Sequence, residues 1–393
     1  MIKLNGKKYP IVAGLFSGIG GFEVAFERAG FTSKLLCEIE PTAQAVLKAK
    51  FPNSELIDDV KKIDLLPKGT DILCAGFPCQ DLSSVGLKEG MEGSRSSLIT
   101  EVFRILKSNP VEWVVIENVP FMLRLKNGQA IRYITSQLNQ LGYNWAYRIV
   151  DSASFVPQRR DRVYIVGSRT HDPRNVLLAD DFGKSAFSYN DYTVQTRLPI
   201  GFYWTEGKYS MGIAKNATPP LKAGSTIGIP SPPAIAFQNG FVATPDIKDA
   251  ERLQGFDADW TLPAENVARQ SMRWRLVGNA VTVDAIEWIA NRIKNPGKYN
   301  LISDSPLIDN LKWPSAAWCV DGIKGTSTAS KWPVENRSGG LDTFLLYDMK
   351  KLSTKATKGF VSRANAGKLK TPTGFMDILE THRMNMEANT NGI

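Results

Sequence analysis

Between residues 11 and 168, short apolar runs rich in branched side chains alternate with longer runs whose apolar residues recur at helical spacing. Few architectures absorb such an alternation. IVAGLF (11–16) is followed by FEVAFERAGF, in which Phe22, Ala25, Phe26 and Ala29 share one helical face. KLLCEI leads into a helix over about 41–50, a short apolar segment surrounds Ile57, and DILCAG (71–76) precedes the helical SLITEVFRILKSN (97–109). WVVIEN (113–118), the helical AIRYITSQLNQLG and RVYIVG (162–167) complete the series. The pattern predicts an α/β fold: a mostly parallel, doubly wound sheet with helices on both faces, binding its ligand beyond the carboxyl ends of the strands.

After residue 168 the texture changes. TPPLKAGSTIGIPSPPA (218–234) is dense in proline and glycine, so the segment 169–245 reads as a separate, irregular region of a few short strands. Helical character returns in DIKDAERLQGF (246–256) and through LVGNAVTVDAIEWIANRI (276–293). The net charge is +9, which points to a polyanionic partner. The segment 169–250 contributes little of it, with eight Lys/Arg against seven Asp/Glu. Residues 349–376 hold seven Lys/Arg and no acid, a run that suits either a solvated surface or phosphate contacts.

Several classes are disfavoured. The four cysteines (Cys37, Cys74, Cys79 and Cys319) are scattered, with neither CxxC pairs nor nearby histidines, which argues against a metal site or a disulfide framework and for a reducing cytoplasm. No apolar run approaches the ~20 residues that cross a bilayer. The opening MIKLNGKKYP leads directly into a strand and lacks a signal-peptide layout.

Three constellations can carry chemistry. In GLFSGIGGF (14–22) the glycines at 18, 20 and 21 allow close approach of a ligand, although a tight turn needs them equally. The nicotinamide fingerprint requires a further glycine at 23, where this chain has Glu23. Glu38 ends the next strand and can accept hydrogen bonds from ribose hydroxyls, and Asp59 can reach an adenine amino group. Adenosine without a pyrophosphate suits this set better than a dinucleotide. Cys74 reads as a buried structural cysteine. Cys79 stands beyond a strand end behind Pro78, whose ring fixes the backbone that aims the next side chain. Glu117 and Asn118 end WVVIEN, and PQRRDRVYIVG (157–167) brings three arginines to the start of a strand. Guanidinium groups there suit planar recognition of oxygens as well as surface ion pairs.

In order, GLFSGIGGF, DILCAGFPCQ, SRSSL (94–98), IENV (116–119), QRRDR (158–162), RLQGF (252–256) and GNAV (278–281) resemble the motifs of DNA (cytosine-5)-methyltransferases of the prokaryotic or phage restriction-modification type. The resemblance covers about residues 11–293. It implies a Rossmann-like S-adenosylmethionine-dependent methyltransferase fold with a smaller, irregular β-rich target-recognition domain. Residues 1–168 would begin the catalytic domain, 169–245 would read the target in the major groove, and 246–298 would complete the catalytic domain. Residues 299–393 form an extension to which the resemblance gives no role.

The family chemistry implies that Cys79 adds as a thiolate to C6 of cytosine, which makes C5 reactive toward the methyl group of S-adenosylmethionine; loss of the C5 proton then frees the sulfur. Glu117 would bind N3 and the exocyclic amine, and Arg162 the O2, with Arg160 supporting the same pocket. Phe16, Gly18, Ile19, Gly20, Gly21, Glu38, Ile39, Asp59, Val60 and Pro78 match cofactor-contacting positions, as do Asn279, Ala280 and Val281. Gln80 and Ser83 match positions that contact DNA. The implied partner is double-stranded DNA, whose target base must leave the helix at a cost of a few kcal/mol. The enzyme would be a cytoplasmic monomer, functionally paired with a restriction endonuclease, with no metal and no membrane association.

Three alternatives use some of the same features. A tRNA cytosine-5 methyltransferase shares much of the motif set, but this chain has a recognition-sized insert and lacks the Cys-Phe-Thr signature of that branch. A non-catalytic DNA-binding relative has no need to keep Cys79, Glu117 and the arginines together. A nicotinamide oxidoreductase is disfavoured by Glu23.

Overall fold

In the computed structural model, residues 10–78, 98–185, 197–224, 232–302, 304–308 and 312–391 are described. Their strands form one ten-stranded and one five-stranded sheet, each within its own compact unit. The first unit comprises the described parts of Met1–Asp151, Asp161–Lys184 and Val281–Val334.

Its strands begin with β1 (Ile11–Leu15), β2 (Thr32–Cys37), β3 (Glu55–Ile57), β4 (Thr70–Ala75) and β5 (Trp113–Asn118). The helices α1 (Gly21–Arg28), α2 (Pro41–Lys50), α3 (Leu98–Ser108) and α4 (Gln129–Gln140) punctuate them. All pairings among β1–β5 are parallel, in the order β3-β2-β1-β4-β5. The chain therefore winds outward in one direction through β2 and β3 and in the other through β4 and β5. This reversal at β1 and β4 is where open sheets of this kind leave a crevice for ligands.

Register keeps the carboxyl ends level. Leu15 lies opposite both Cys37 and Ala75, and Ala75 lies opposite Ile116. The connections leaving these strands thus emerge at one rim.

Two long strands follow. β6 (Asn144–Asp151) and β7 (Asp161–Ser168) form an antiparallel pair, and β7 also pairs antiparallel with β5. Of the two, β7 runs the other way and β6 runs with β1–β5. Beyond β6 the sheet is extended by Ala316–Val320, Ile323–Thr326 and Ser305–Pro306. β6 escapes the alternation pattern because Arg148 sits in its middle. That side chain is fully buried and donates to the carbonyls of Ser330 (2.6 Å), Leu177 (3.1 Å) and Asp180 (2.6 Å). Burial lowers its pKa to about 10, which leaves it charged at neutral pH.

The core between the sheet and its helices is built from Leu15, Leu73, Ile99, Val102, Ile116, Ile131, Ile134 and their neighbours. The helix Val283–Lys294 returns to the same unit, where Lys294 Nζ donates to the Ala29 carbonyl at the end of α1 (2.6 Å).

The second unit gathers the described parts of Ser152–Arg160, Ser185–Ala280 and Glu335–Ile393. Its sheet is antiparallel, in the order Lys350–Lys351, Val242–Thr244, Ala234–Ala236, Ile200–Phe202, Ala214–Lys215. Among the described residues no strand there exceeds three residues, so the sheet alone buries little. Its apolar face is covered by the helices Thr354–Gly367 and Phe375–Asn391, which bring Phe360, Phe375, Ile378 and Leu379 against Ile200, Phe202, Ala236 and Val242. The Phe202 ring lies 4.9 Å from that of Phe360 and 5.1 Å from that of Phe375. Buried His382 accepts from Val242 N through Nδ1 (3.3 Å) while Nε2 donates to the Leu352 carbonyl (2.8 Å), stitching helix to sheet.

Among the described residues no helix is long and apolar enough to cross a membrane, and no cluster of ligating side chains could hold a metal ion. Truncating Phe360 to Ala is expected to destabilise the second unit by about 3–5 kcal/mol, the usual loss for a large buried aromatic. Chemical denaturation of the full chain measures it, and a loss below about 1 kcal/mol would contradict this account of the core.

Candidate active site

The rim begins where β1 ends. Phe16 and Gly18 both adopt left-handed backbone conformations (φ 58° and 56°), which turns the chain sharply between strand and helix. Ser17 N donates to the Cys37 carbonyl (2.9 Å) and Gly20 N to the Ser17 carbonyl (2.8 Å), which fixes the turn against β2. A side chain at Gly18 would meet nothing within 4 Å, so the glycine keeps open space above the turn. Ile19 is buried beneath it, and Gly21 opens α1.

Glu38, one residue past β2, accepts from Gly18 N (2.8 Å) through one carboxylate oxygen and from Glu40 N (2.8 Å) through the other. Burial raises its pKa, and the backbone donors act in the opposite sense. The adjacent Ile39 is 72% exposed, an unusual position for an isoleucine. Past β3, Asp59 accepts from Lys61 N (3.0 Å) at the head of the short turn Val60–Lys62, with Val60 itself buried. Three successive strand ends thus present a sharp open turn, a carboxylate with an exposed apolar neighbour, and a second carboxylate. Hydroxyl and amine recognition beside an apolar face fits a nucleoside, and no phosphate cradle is needed.

The other half of the rim lies past the ends of β4 and β5. Gly76, Phe77 and Pro78 continue β4, and the Asn118 side-chain amide donates to the Phe77 carbonyl (2.9 Å), tying the two strand ends together. Cys79, Gln80 and Ser83 lie outside the described residues. Glu117 sits near the end of β5, largely buried, and Arg162 Nε stands 2.9 Å from its Oε1. This contact follows from register. Glu117 lies opposite Tyr164 in the antiparallel β5–β7 pair, so Arg162, two residues along β7, projects from the same face as its diagonal neighbour. Arg162 also donates through Nη1 to the Asp161 carbonyl (2.7 Å), which restrains the guanidinium. A side chain built on Gly76 would meet Phe22 at 3.3 Å, Glu117 Oε2 at 3.8 Å and Val281 at 3.9 Å. α1, β5 and the returning segment therefore converge on one point beyond β4.

A family model for C-5 cytosine-specific DNA methylase matches residues 12–206 and 246–295. The chain belongs to this family. It is 42% identical over 362 residues to the Type II methyltransferase M2.BsuMI of Bacillus subtilis (strain 168), covering 90% of this chain and 92% of that one. It is 29% identical over 309 residues to M.NlaX of Neisseria lactamica, covering 71% and 95%. Among solved structures, the Dnmt2 methyltransferase of S. pombe (TM-score 0.53, 16% identity, 73% of this chain and 98% of that one) shares the fold. A methyltransferase of Entamoeba histolytica (TM-score 0.52, 17% identity, 74% and 99%) shares it too. The protein is a DNA (cytosine-5)-methyltransferase that methylates C5 of cytosine in DNA, and the family and fold imply that it does so with S-adenosylmethionine.

Within the methylase the remaining expected residues separate. Arg160 belongs to the second unit, where its buried guanidinium donates to the carbonyls of Leu221 (2.9 Å), Ala280 (2.7 Å) and Gly278 (3.3 Å). These three partners are backbone oxygens, two of them in the GNAV segment, whereas Arg162 meets a carboxylate as well as a carbonyl. Asn279 is exposed at the end of the helix Met272–Asn279, and Ala280 is buried beside it. Buried Gln158 donates to the Leu253 carbonyl (2.7 Å) and accepts from Leu221 N (2.8 Å), while Gln254 donates to the Val277 carbonyl (2.8 Å). QRRDR, RLQGF and GNAV are in this way knitted together through main-chain carbonyls. Burial pushes the Cys74 thiol far up and the Cys37 thiol up to about 12, so both are inert at neutral pH.

Glu23 enters the sequence pattern only as a missing glycine, yet the fold gives it a distinctive place. It is fully buried in the first turn of α1, and neither carboxylate oxygen has a hydrogen-bond partner among the described residues. Its Oε1 occupies the space over Gly14, where a built Cβ would fall 1.8 Å away. The signal available in the sequence was this pairing of a charged residue on an apolar helix face with a glycine in the preceding strand.

Burial pushes the Glu23 carboxyl up to about 7 from 4.5. An acid whose folded pKa is raised adds no penalty below its unfolded value and an increasing one as pH climbs toward the folded value. Relative to Glu23→Gln, the methylase is therefore expected to lose about 3 kcal/mol of stability as pH rises from about 4.5 to about 8. Paired denaturant titrations across that range measure the difference, and a flat difference would contradict a carboxyl whose burial outweighs the opposing contributions of its own backbone and the Ser17 hydroxyl.

Proposed function

We propose that this methylase attacks a cytosine extruded from duplex DNA with the thiolate of Cys79, held by Glu117 and Arg162. The observation that carries the reading is the guanidinium 2.9 Å from a carboxylate near the end of β5. The Watson–Crick edge of cytosine offers an amine donor and N3 on one side and an acceptor oxygen on the other. A rigid carboxyl group that accepts from the amine and, when protonated, donates to N3, beside a guanidinium that donates to the oxygen, is complementary to that edge. Family membership and the position of Cys79, directly after Pro78 past the end of β4, support its assignment as nucleophile.

Addition forms the bond from sulfur to C6 and moves the ring's electron density to C5, while Glu117 holds the N3 and amine edge and stabilises the charge that develops. S-adenosylmethionine, when bound, supplies the methyl group as an electrophile. Once C5 is methylated, its proton leaves to base and the bond from sulfur to C6 breaks, which restores aromaticity and the thiolate. Phe16, Gly18, Ile19, Gly20, Gly21, Glu38, Ile39, Asp59, Val60 and Pro78 would hold the cofactor, together with Asn279, Ala280 and Val281. The open turn at Gly18 and the Glu38 carboxylate support that set. Arg160 acts on the reaction by holding the Gly278 and Ala280 carbonyls.

The segment 169–245 would read the target sequence, with Gln80 and Ser83 contacting DNA near the flipped base. Relatives named Type II methyltransferases support a place in a restriction-modification system, with an endonuclease of matching specificity. One monomer suffices, because one base is flipped at a time.

Cys79→Ser is expected to abolish methyl transfer to duplex DNA while cofactor binding stays near the wild-type value. Duplex carrying 5-fluorocytosine at the target is expected to trap a covalent adduct, since fluorine blocks the final elimination. Full turnover by Cys79→Ser would remove the nucleophile assignment. Glu117→Gln is expected to slow transfer by about 10²–10³-fold, the usual effect of removing one preorganised stabilising group. Single-turnover rates with labelled cofactor measure it, and a near-normal rate would leave Glu117 without its role.

A further inference from the structure

The basic run at 349–376 lies in the same compact unit as residues 185–245 of the segment read as target-recognising, and the helices downstream of Lys350–Lys351 supply that unit's core. Its seven cations divide by what they touch. Arg363 donates to the Trp204 (2.7 Å) and Glu206 (2.8 Å) carbonyls and so serves the unit's own backbone. Lys358 pairs with Glu387 (2.7 Å). Lys350, Lys351, Lys355, Lys368 and Lys370 are exposed, and none pairs with a carboxylate among the described residues.

Two nearby acids are already engaged. Glu380 and Glu387 both hold Arg383, at 2.6 and 2.7 Å. Acids flank the run only at Asp348 and Asp377. The stretch 169–250, with eight cations against seven anions, gives almost no net attraction for a polyanion. The helix Thr354–Gly367 separates Lys355 from Lys368 by about 20 Å at ~1.5 Å per residue, comparable to about six base-pair steps of duplex at ~3.4 Å.

We infer that residues 335–393 are the second half of the target-recognition domain and that Lys350, Lys351, Lys355, Lys368 and Lys370 bind DNA phosphates. This rests on the reading of the second unit as the DNA-reading one. Base readout in that arrangement comes from the loops of the central segment, and sequence-independent attraction comes from the C-terminal segment.

The test uses the full chain with cofactor product bound. Duplex binding is followed from about 50 to about 300 mM salt for wild type, for K350A/K351A/K355A and for K350R/K351R/K355R. Removing one phosphate-binding lysine is expected to lower the slope of log affinity against log salt by about 0.9, so the alanine triple falls by roughly three units of slope. The loss is expected to be equal on methylatable and unrelated duplexes, with cofactor affinity unchanged and the arginine triple near wild type.

An unchanged slope in the alanine triple, beside a salt-dependent wild type, overturns the phosphate role alone. Lysines on the edge strand Lys350–Lys351 that only prevent strand-to-strand aggregation would give that result together with lower solubility. A wild type that binds duplex without salt dependence overturns the DNA reading of the whole unit.

Discussion

The contact between Arg162 and Glu117 depends on one topological fact: β7 enters the sheet antiparallel to β5. Were β7 a further parallel strand, its amino-terminal residues would sit at the opposite rim, and Arg162, the second residue of the strand, could not meet a side chain at the carboxyl end of β5. The hairpin-like pairing of β6 with β7 makes the reversal stable, since the two pair continuously from Asn144–Ser168 to Asp151–Asp161. The sheet thereby collects a strand beginning at the place where the parallel strands all end. A carboxylate and a guanidinium are set side by side on stiff backbone, so neither has to reorganise to meet a polar partner.

The same rim concentrates acids. Glu38 binds two backbone amides, Asp59 caps a turn, and Glu23 is buried beside Gly14 with no hydrogen-bond partner among the described residues. Their environments separate them by solvation. Asp59 orders a turn and Glu38 pins the turn after β1. Glu23, by contrast, lies where burial favours its neutral form. Carboxylates are thus held on successive strand ends, and the loop between β1 and α1 takes its shape from one of them, Glu38.

The long elements were legible because each buries a whole face. α3 and α4 show apolar residues at helical spacing, and β4 and β5 read as continuous apolar runs because both their faces are covered. β6 was not legible, since Arg148 interrupts its apolar run and is satisfied by carbonyls contributed from residues 177, 180 and 330. The positions of Glu117 and Arg162 could be read from motifs, but their contact could not, because it arises from the register of two strands far apart in the chain. Arg160 and Arg162 look equivalent in QRRDR, yet the first faces main-chain carbonyls and the second a carboxylate. Spacing of two residues carries no information on that difference.

Residues 335–393 were opaque for a different reason. Strands of two or three residues have no period to detect, and each depends on partners drawn from distant parts of the chain: Lys350–Lys351 pairs with Val242–Thr244, and Phe360 and Phe375 pack on Phe202. Such a sheet buries too little area to stand alone, so helices must cover it, and the chain supplies them after the return to the first unit is complete. The aromatic contacts between Phe202, Phe360 and Phe375 hold the sheet from both helices at once. His382, bridging Val242 N and the Leu352 carbonyl, fastens the two parts where the edge strand leaves for its helix.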